Sequence, residues 1–191
     1  EETAVNGQWV DGPKAAFFEI LQERFSGLPI IGEDLGIITP EVTALMQRFS
    51  IPGMKVLQFA FSDDDMEHHP YLPHNYQQNC VVYTGTHDNN TTVGWFREEA
   101  HEREREHLKT YLGKEPSDGT ISWDLIRLAA NSVADLSIVP LQDILALDSA
   151  DRMNRPGTVE GNWAWRYVPG QIPEEAVEQL LLLTEEAQRG S

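Results

Sequence analysis

Basic residues are scarce in this chain: 14 Lys and Arg stand against 31 Asp and Glu, a formal net charge of -17. Such a surface repels phosphate backbones and anionic membranes, so neither nucleic acid nor membrane is an expected partner. Neutral or cationic ligands stay open, and solubility alone accounts for most of the charge. Cysteine is nearly absent. With Cys80 alone, no intrachain disulfide can form, a pattern that fits a reducing compartment. Its setting, Cys80-Val81-Val82-Tyr83, marks it for packing rather than for nucleophilic chemistry. No apolar run approaches the ~18 residues needed to span a bilayer. The N-terminus, EETAVNGQWV, lacks the basic and apolar regions of a signal peptide and has no initiator Met, as expected of a fragment or a processed product. No internal repeat or low-complexity linker interrupts the chain.

What is present is ordinary for a globular protein. The chain has 191 residues, 40% of them hydrophobic and 24% charged, which suits one domain or a large piece of one. Short apolar runs alternate with amphipathic stretches. Pro13 is expected to open a helix over Lys14–Arg24, with Phe17, Phe18, Leu21 and Phe25 on helical spacing and Gly27 as its stop. Leu28–Gly32 reads as a buried parallel strand that ends in Glu33-Asp34. Thr39-Pro40 supplies an N-cap and a first-turn proline for a helix over Glu41–Phe49. Met54–Phe59 reads as a second strand, Cys80–Tyr83 as a third and Ser137–Leu141 as a fourth. Between them lie a proline-bearing loop (Ser62–Gln78), a charged helix (Thr92–Tyr111) and a helix over Ser122–Ala134 with Leu125, Ile126, Ala129 and Val133 on one side. Glu99 with Arg103, and Glu106 with Lys109, are spaced to pair along the charged helix, whose charge run is expected to be a solvated face. Pro173–Gln188 is a last amphipathic helix. Strands alternating with helices imply an α/β protein with a parallel sheet, either half of a TIM barrel or a small doubly wound sheet.

Acids gather where apolar runs end. In barrels that is where chemistry sits, at the C-terminal ends of strands. Glu33-Asp34 could include a partly desolvated general acid, or could merely cap a turn. His87-Asp88-Asn89 follow Cys80–Tyr83 through a Thr-Gly-Thr turn where Gly85 allows an unusual backbone angle; the three side chains could grip a polar ligand or could be a solvated turn. His68, His69 and His74 lack the spacing of a helical ligand pair, and Pro70 and Pro73 make the segment a loop, so no metal is expected. Arg152–Gly157 and Gly161–Arg166 mix aromatic and polar residues. Tryptophans can stack on sugars, although packing is the expected role of Trp163 and Trp165 individually.

Taken together, several segments are more specific. Gly7-Gln8-Trp9-Val10-Asp11-Gly12-Pro13, Ile31-Gly32-Glu33-Asp34-Leu35-Gly36, Pro70-Tyr71-Leu72-Pro73-His74-Asn75-Tyr76, Tyr83-Thr84-Gly85-Thr86-His87-Asp88-Asn89, Pro140-Leu141-Gln142-Asp143 and Arg152–Trp165 occur in one order along the chain. In this the chain resembles the C-terminal part of the 4-α-glucanotransferases, the amylomaltases or disproportionating enzymes.

The resemblance implies the C-terminal half, strands five to eight, of a (β/α)8 TIM barrel of the α-amylase type, with residues 1–191 forming one part of the catalytic barrel. It implies transfer of α-1,4-glucan segments between maltodextrins by a retaining double displacement. Glu33 would be the acid/base and Asp88 the stabilising acid. His87, Asp34, Gly36, Asp63 and Asn154 would bind substrate. No cofactor or metal is implied, and the setting would be cytoplasmic maltodextrin or starch metabolism. The nucleophilic Asp belongs to an Arg-x-Asp-His motif that this sequence does not contain. The N-terminal half of the same enzyme is therefore an expected partner, and the chain alone is expected to be inactive. Three departures stand out: Gly32 where Ala is common, Asn90 where a second Asp is common, and Ala146-Leu147-Asp148 for a more usual Gly-Leu-Gly. The alternative is a non-catalytic glucan-binding or interaction module built on a half barrel with exposed strand edges.

Overall fold

The computed structural model describes residues 5–8, 10–25 and 30–190 and divides into two compact units, Glu1–Gly53 and Met54–Ser191.

The first unit is carried by two helices, α1 (Ala15–Arg24) and α2 (Pro40–Arg48). Pro40 occupies the first turn of α2 behind the N-cap Thr39, as Thr-Pro predicts. The Thr39 side chain makes no cap bond to the backbone; instead Thr43 Oγ1 donates to the Thr39 carbonyl at 3.3 Å. Arg48 Nη2 donates to Glu19 Oε1 at 2.6 Å, and the Phe18 and Phe49 rings meet at 5.2 Å. Neither helix buries a residue completely, and Phe17 and Phe25 of the expected apolar face are 48% and 55% exposed. The expected strand Leu28–Gly32 falls partly outside the described residues, as do Gly27 and Trp9. Its described part, 30–32, is not in a strand, although the Gly32 N–H donates to the Pro52 carbonyl at 2.9 Å.

From Gly53, the last residue of the first unit, the chain enters the sheet, and the second unit holds the rest of it and the core. Strands β1 (Gly53–Val56), β2 (Cys80–Tyr83) and β3 (Leu136–Ile138) lie in the order β1-β2-β3. Strands β2 and β3 are parallel, with Val81 opposite Leu136 and Tyr83 opposite Ile138. Strand β2 matches its expected span because an unbroken apolar run suits burial on both faces; Cys80, Val81 and Val82 are all buried. Cys80 is a packing residue in the cluster of Leu57, Phe61, Leu72, Val82, Leu108, Ile121 and Leu125. The expected strand Met54–Phe59 ends early: at Leu57 the chain turns into a short 3-10 helix, Leu57–Phe59, that buries Leu57 and Gln58. The fourth expected strand is β3, shifted because Pro140 ends it and Leu141 opens the short helix α6 (Leu141–Ile144).

The charged helix departs most from expectation. A short α3 (Thr92–Gly94) passes into a π-helical turn, Trp95–Glu99, then breaks at Ala100 before α4 (Glu102–Leu112). Glu99 and Arg103 therefore do not share a helix. Arg103 pairs with Asp64, and Lys109 bonds Glu115 at 2.8 Å. Helix α5 (Ile121–Ala130) stops short of Val133, which is 57% exposed rather than in line with buried Leu125, Ile126 and Ala129. Helix α7 (Glu174–Glu186) packs near α5, and Arg189 beyond it donates to the Ala130 and Ser132 carbonyls at 2.6 and 2.8 Å. Among the described residues no helix is long and apolar enough to cross a membrane.

Candidate active site

In the second unit the residues after β2 form a connected cluster. Gly85 begins it, and its backbone stays out of the left-handed region, contrary to expectation. A side chain is excluded by crowding instead: a Cβ would lie 2.6 Å from Gln58 Nε2 and 3.3 Å from Asn89 Cβ. The backbone N–H and hydroxyl of Thr86 both donate to Asn89 Oδ1, at 2.9 and 2.8 Å, closing the turn that presents His87 and Asp88. Those two side chains are about half exposed, at 53% and 51%, and His87 Nε2 lies 3.4 Å from Asp88 Oδ1.

The segment 152–163 closes over this turn. Asn154 Nδ2 donates to Asp88 Oδ1 at 2.5 Å. Arg152 reaches the Asp88 carbonyl through Nη2 at 2.7 Å, the Asn154 carbonyl through Nε at 2.8 Å and Glu99 Oε1 through Nη1 at 3.1 Å. Asn90 donates to the same Glu99 oxygen at 2.8 Å and to Ser149 Oγ at 3.0 Å. The side chain of Asn90 fits because residue 94 is glycine: a Cβ there would lie 2.5 Å from Asn90 Oδ1. The Trp163 ring centroid is 5.0 Å from that of His87. Trp163 is 54% exposed and has a φ of 59°, a left-handed conformation that is costly for a tryptophan. Its N–H donates to the Met153 carbonyl at 2.7 Å, which helps hold it there. Trp165, by contrast, is anchored by Nε1 donating to Asp151 Oδ1 at 2.9 Å.

Below the turn lies Asp143, with 1% exposure. It accepts from Thr84 Oγ1 at 2.5 Å, from the Thr92 N–H at 2.7 Å and from Thr92 Oγ1 at 2.9 Å. Burial pushes its carboxyl above the usual range, and the three donors work against that shift. Asp143 thus ties the end of β2 to the start of α3 and to α6.

Of the residues singled out in the sequence, Asp88, His87 and Asn154 come together here. Asp63 lies in the turn after the Leu57–Phe59 helix, where its Oδ1 accepts from the Asp65 N–H at 3.2 Å. The three histidines of the loop have separate partners. His68 pairs with Asp65 at 3.0 Å, His74 bridges the Tyr111 hydroxyl and the Glu67 carbonyl, and His69 sits beside Tyr71.

Glu33, Asp34 and Gly36 belong to the first unit. Glu33 is exposed and Asp34 half-buried. The Asp34 carboxylate lies where a Cβ on residue 53 would be, so a side chain at Gly53 would displace it. Gly36 has a φ of 148°, a backbone region that favours glycine. At Gly32 an added Cβ would lie 3.0 Å from Met46 Cε and 3.2 Å from Ile51 Cγ2, so the Met46 methyl fills the space an alanine would take.

Arg152, Glu99, Asn90 and Asp143 were not picked out as site residues from the sequence. Asn90 carried a signal, as a departure from the family pattern. Glu99 carried a misleading one, because its spacing to Arg103 suggested a solvated pair.

A family model described as 4-alpha-glucanotransferase matches residues 1–171. The chain is 53% identical over 187 residues to a 4-alpha-glucanotransferase of Synechocystis, covering 97% of this chain and 36% of that protein. It is 49% identical to a 4-alpha-glucanotransferase of Thermus thermophilus, covering 98% of this chain and 38% of that one. Among solved structures, an amylomaltase from Streptococcus agalactiae in complex with acarbose superposes with a TM-score of 0.91 at 33% identity, over all of this chain and 38% of that one. The chain thus spans somewhat more than a third of the length of these relatives.

Proposed function

The chain belongs to the 4-alpha-glucanotransferase family, and from that premise we propose that it is the C-terminal part of an enzyme that moves α-1,4-glucan segments between maltodextrins. In this reading β1, β2 and β3 are strands six to eight of a (β/α)8 barrel. The stretch that ends at Glu33 takes the place of strand five, although 30–32 are not in a strand, and the N-terminal half of the barrel supplies the nucleophile. The observation that carries the reading is the Asp88 carboxylate, bonded by Asn154 and with His87 Nε2 3.4 Å away, just beyond the C-terminal end of a parallel strand.

The chemistry follows from charge. Glu33 protonates the glycosidic oxygen as the nucleophile attacks the anomeric carbon, and a covalent glycosyl intermediate forms with an oxocarbenium-like transition state. Glu33, now a carboxylate, takes the proton from the 4-hydroxyl of an incoming glucan, which attacks the intermediate and restores the original configuration. Asp88 and His87 hold ring hydroxyls, and their bonds strengthen as positive charge develops on the sugar, which lowers the barrier. Asn154 orients Asp88 for that task. Asp34, Gly36 and Asp63 contribute to the sugar subsites, Gly36 by letting the backbone turn closely. An acceptor glucan must outcompete water, so aromatic surface beside the site, such as the exposed face of Trp163, favours transfer. No cofactor enters this scheme, and the setting is cytoplasmic maltodextrin or starch metabolism.

The test is disproportionation of maltotriose by the full-length protein that carries this chain. Glucose and longer maltodextrins are expected from the wild type, and Glu33→Gln is expected to abolish them. Binding of maltodextrin without turnover in the wild type would favour the non-catalytic module instead. Retained turnover in Glu33→Gln would remove Glu33 from the acid/base role.

A further inference from the structure

We infer that Arg152 and Glu99 form a latch that positions Asp88, acting through its backbone and through Asn154 without touching substrate. The inference rests on the role proposed above for Asp88. Its basis is the way the Arg152 guanidinium is used. All three nitrogens are engaged: Nη2 with the Asp88 carbonyl, Nε with the Asn154 carbonyl and Nη1 with Glu99. The two carbonyls belong to the same two residues whose side chains meet at 2.5 Å. One planar fork therefore sets the separation of both backbones, and with it the aim of the Asp88 carboxylate.

Burial points the same way. The Arg152 side chain is 13% exposed, whereas the Asp88 side chain it steadies is 51% exposed. A half-solvated carboxylate on a turn has few contacts of its own to fix its direction. A desolvated guanidinium needs a counter-charge, and Glu99 supplies it. Glu99 reaches Arg152 because the π-helical turn Trp95–Glu99 places it there rather than along α4. Such turns interrupt ordinary helices and are frequent at functional sites. The ring of bonds then closes on the Asp88 turn itself: Asn90, two residues on, donates to the same Glu99 oxygen. Lysine at position 152 would keep the charge but not the three-way fork.

The experiment uses the full-length protein with Arg152→Lys, Arg152→Met and Glu99→Gln. Four quantities are read: kcat and KM for maltotriose, the thermal midpoint, and hydrogen–deuterium exchange in segments 86–91 and 152–158. Misplacing Asp88 should lower kcat by about 100-fold in both Arg152 variants, with KM changed by no more than about twofold. Exchange should quicken in both segments together, and Glu99→Gln, which keeps an acceptor but not the charge, should fall between. Wild-type kcat in Arg152→Lys, a loss that only tracks the folded fraction, or unchanged exchange would overturn the latch. A wild-type protein with no transfer activity would overturn the transferase reading instead, and the exchange data alone would then decide the latch.

Discussion

Asp143 and Asn90 show how much of the cluster depends on single side chains that face inward. Among the described residues, Asp143 is the acceptor for the Thr84 hydroxyl and for both Thr92 donors. Asp143→Ala would leave these buried groups without acceptors, and roughly 3 kcal/mol of stability should be lost, measurable by urea unfolding. The pH dependence has a definite sign. Burial raises the Asp143 carboxyl, so the folded state holds its proton to higher pH than the unfolded state does. Its contribution to stability is full below the ordinary carboxylate range and is lost as pH rises through the folded value. The stability gap between wild type and Asp143→Asn should therefore narrow as pH rises above the ordinary carboxylate range. At Asn90 the charge is what matters. Asn90→Asp would set a second carboxylate against the Glu99 oxygen that now accepts its amide at 2.8 Å. About 1–2 kcal/mol of destabilisation is expected at neutral pH, relieved in Asn90→Asp/Glu99→Gln, with a double-mutant cycle as the measurement.

At the scale of elements, the last carbonyls of the π-helical turn lose helical partners where the chain breaks at Ala100. Arg105 supplies them. It donates to the Phe96 carbonyl at 2.5 Å, the Arg97 carbonyl at 3.2 Å and the Ala100 carbonyl at 3.1 Å, while its guanidinium lies 4.6 Å from the Phe96 ring centroid. Arg105→Ala should cost about 1–2 kcal/mol. It should also loosen Glu99, seen as faster exchange over 95–100 than over α5. In the loop that precedes β2, Tyr76 donates to the Tyr71 carbonyl at 2.7 Å and is 8% exposed. Burial pushes its phenol well above the ordinary tyrosine value, so it should not ionise in an alkaline absorbance titration until the fold is lost. Which elements could be read from sequence follows from how local their causes are. Thr39-Pro40 and the apolar run of β2 are local signals, and α2 and β2 start where those signals place them. The turn at Leu57 and the break at Ala100 are set by burial of Gln58 and by Arg105 from the next helix, and no pattern within those segments announces them.

At the scale of the molecule, the chain is little more than a third of its relatives, and it does not contain the Arg-x-Asp-His motif from which the proposed mechanism draws its nucleophile. By itself it should release no glucose from maltotriose, and a co-expressed N-terminal half should restore release. Side chains on β3 and α7 bear on the same point: Leu136 and Ile138 are 51% and 41% exposed, and Leu181 and Leu182 are 58% and 59% exposed. Sequence by itself determined the family, the strand β2 and the candidacy of Glu33, Asp34, Gly36, Asp63, His87, Asp88 and Asn154, because motif residues and apolar runs are written in contiguous stretches. Only the tertiary structure decided that Asn154 and Arg152 meet Asp88, that Glu99 turns away from Arg103 to face them, and that Asp143 knits three elements beneath. Those bonds join residues 51 to 66 positions apart in the chain, as between Asp88 and Asn154, and no local pattern encodes which distant partner a buried polar group will find.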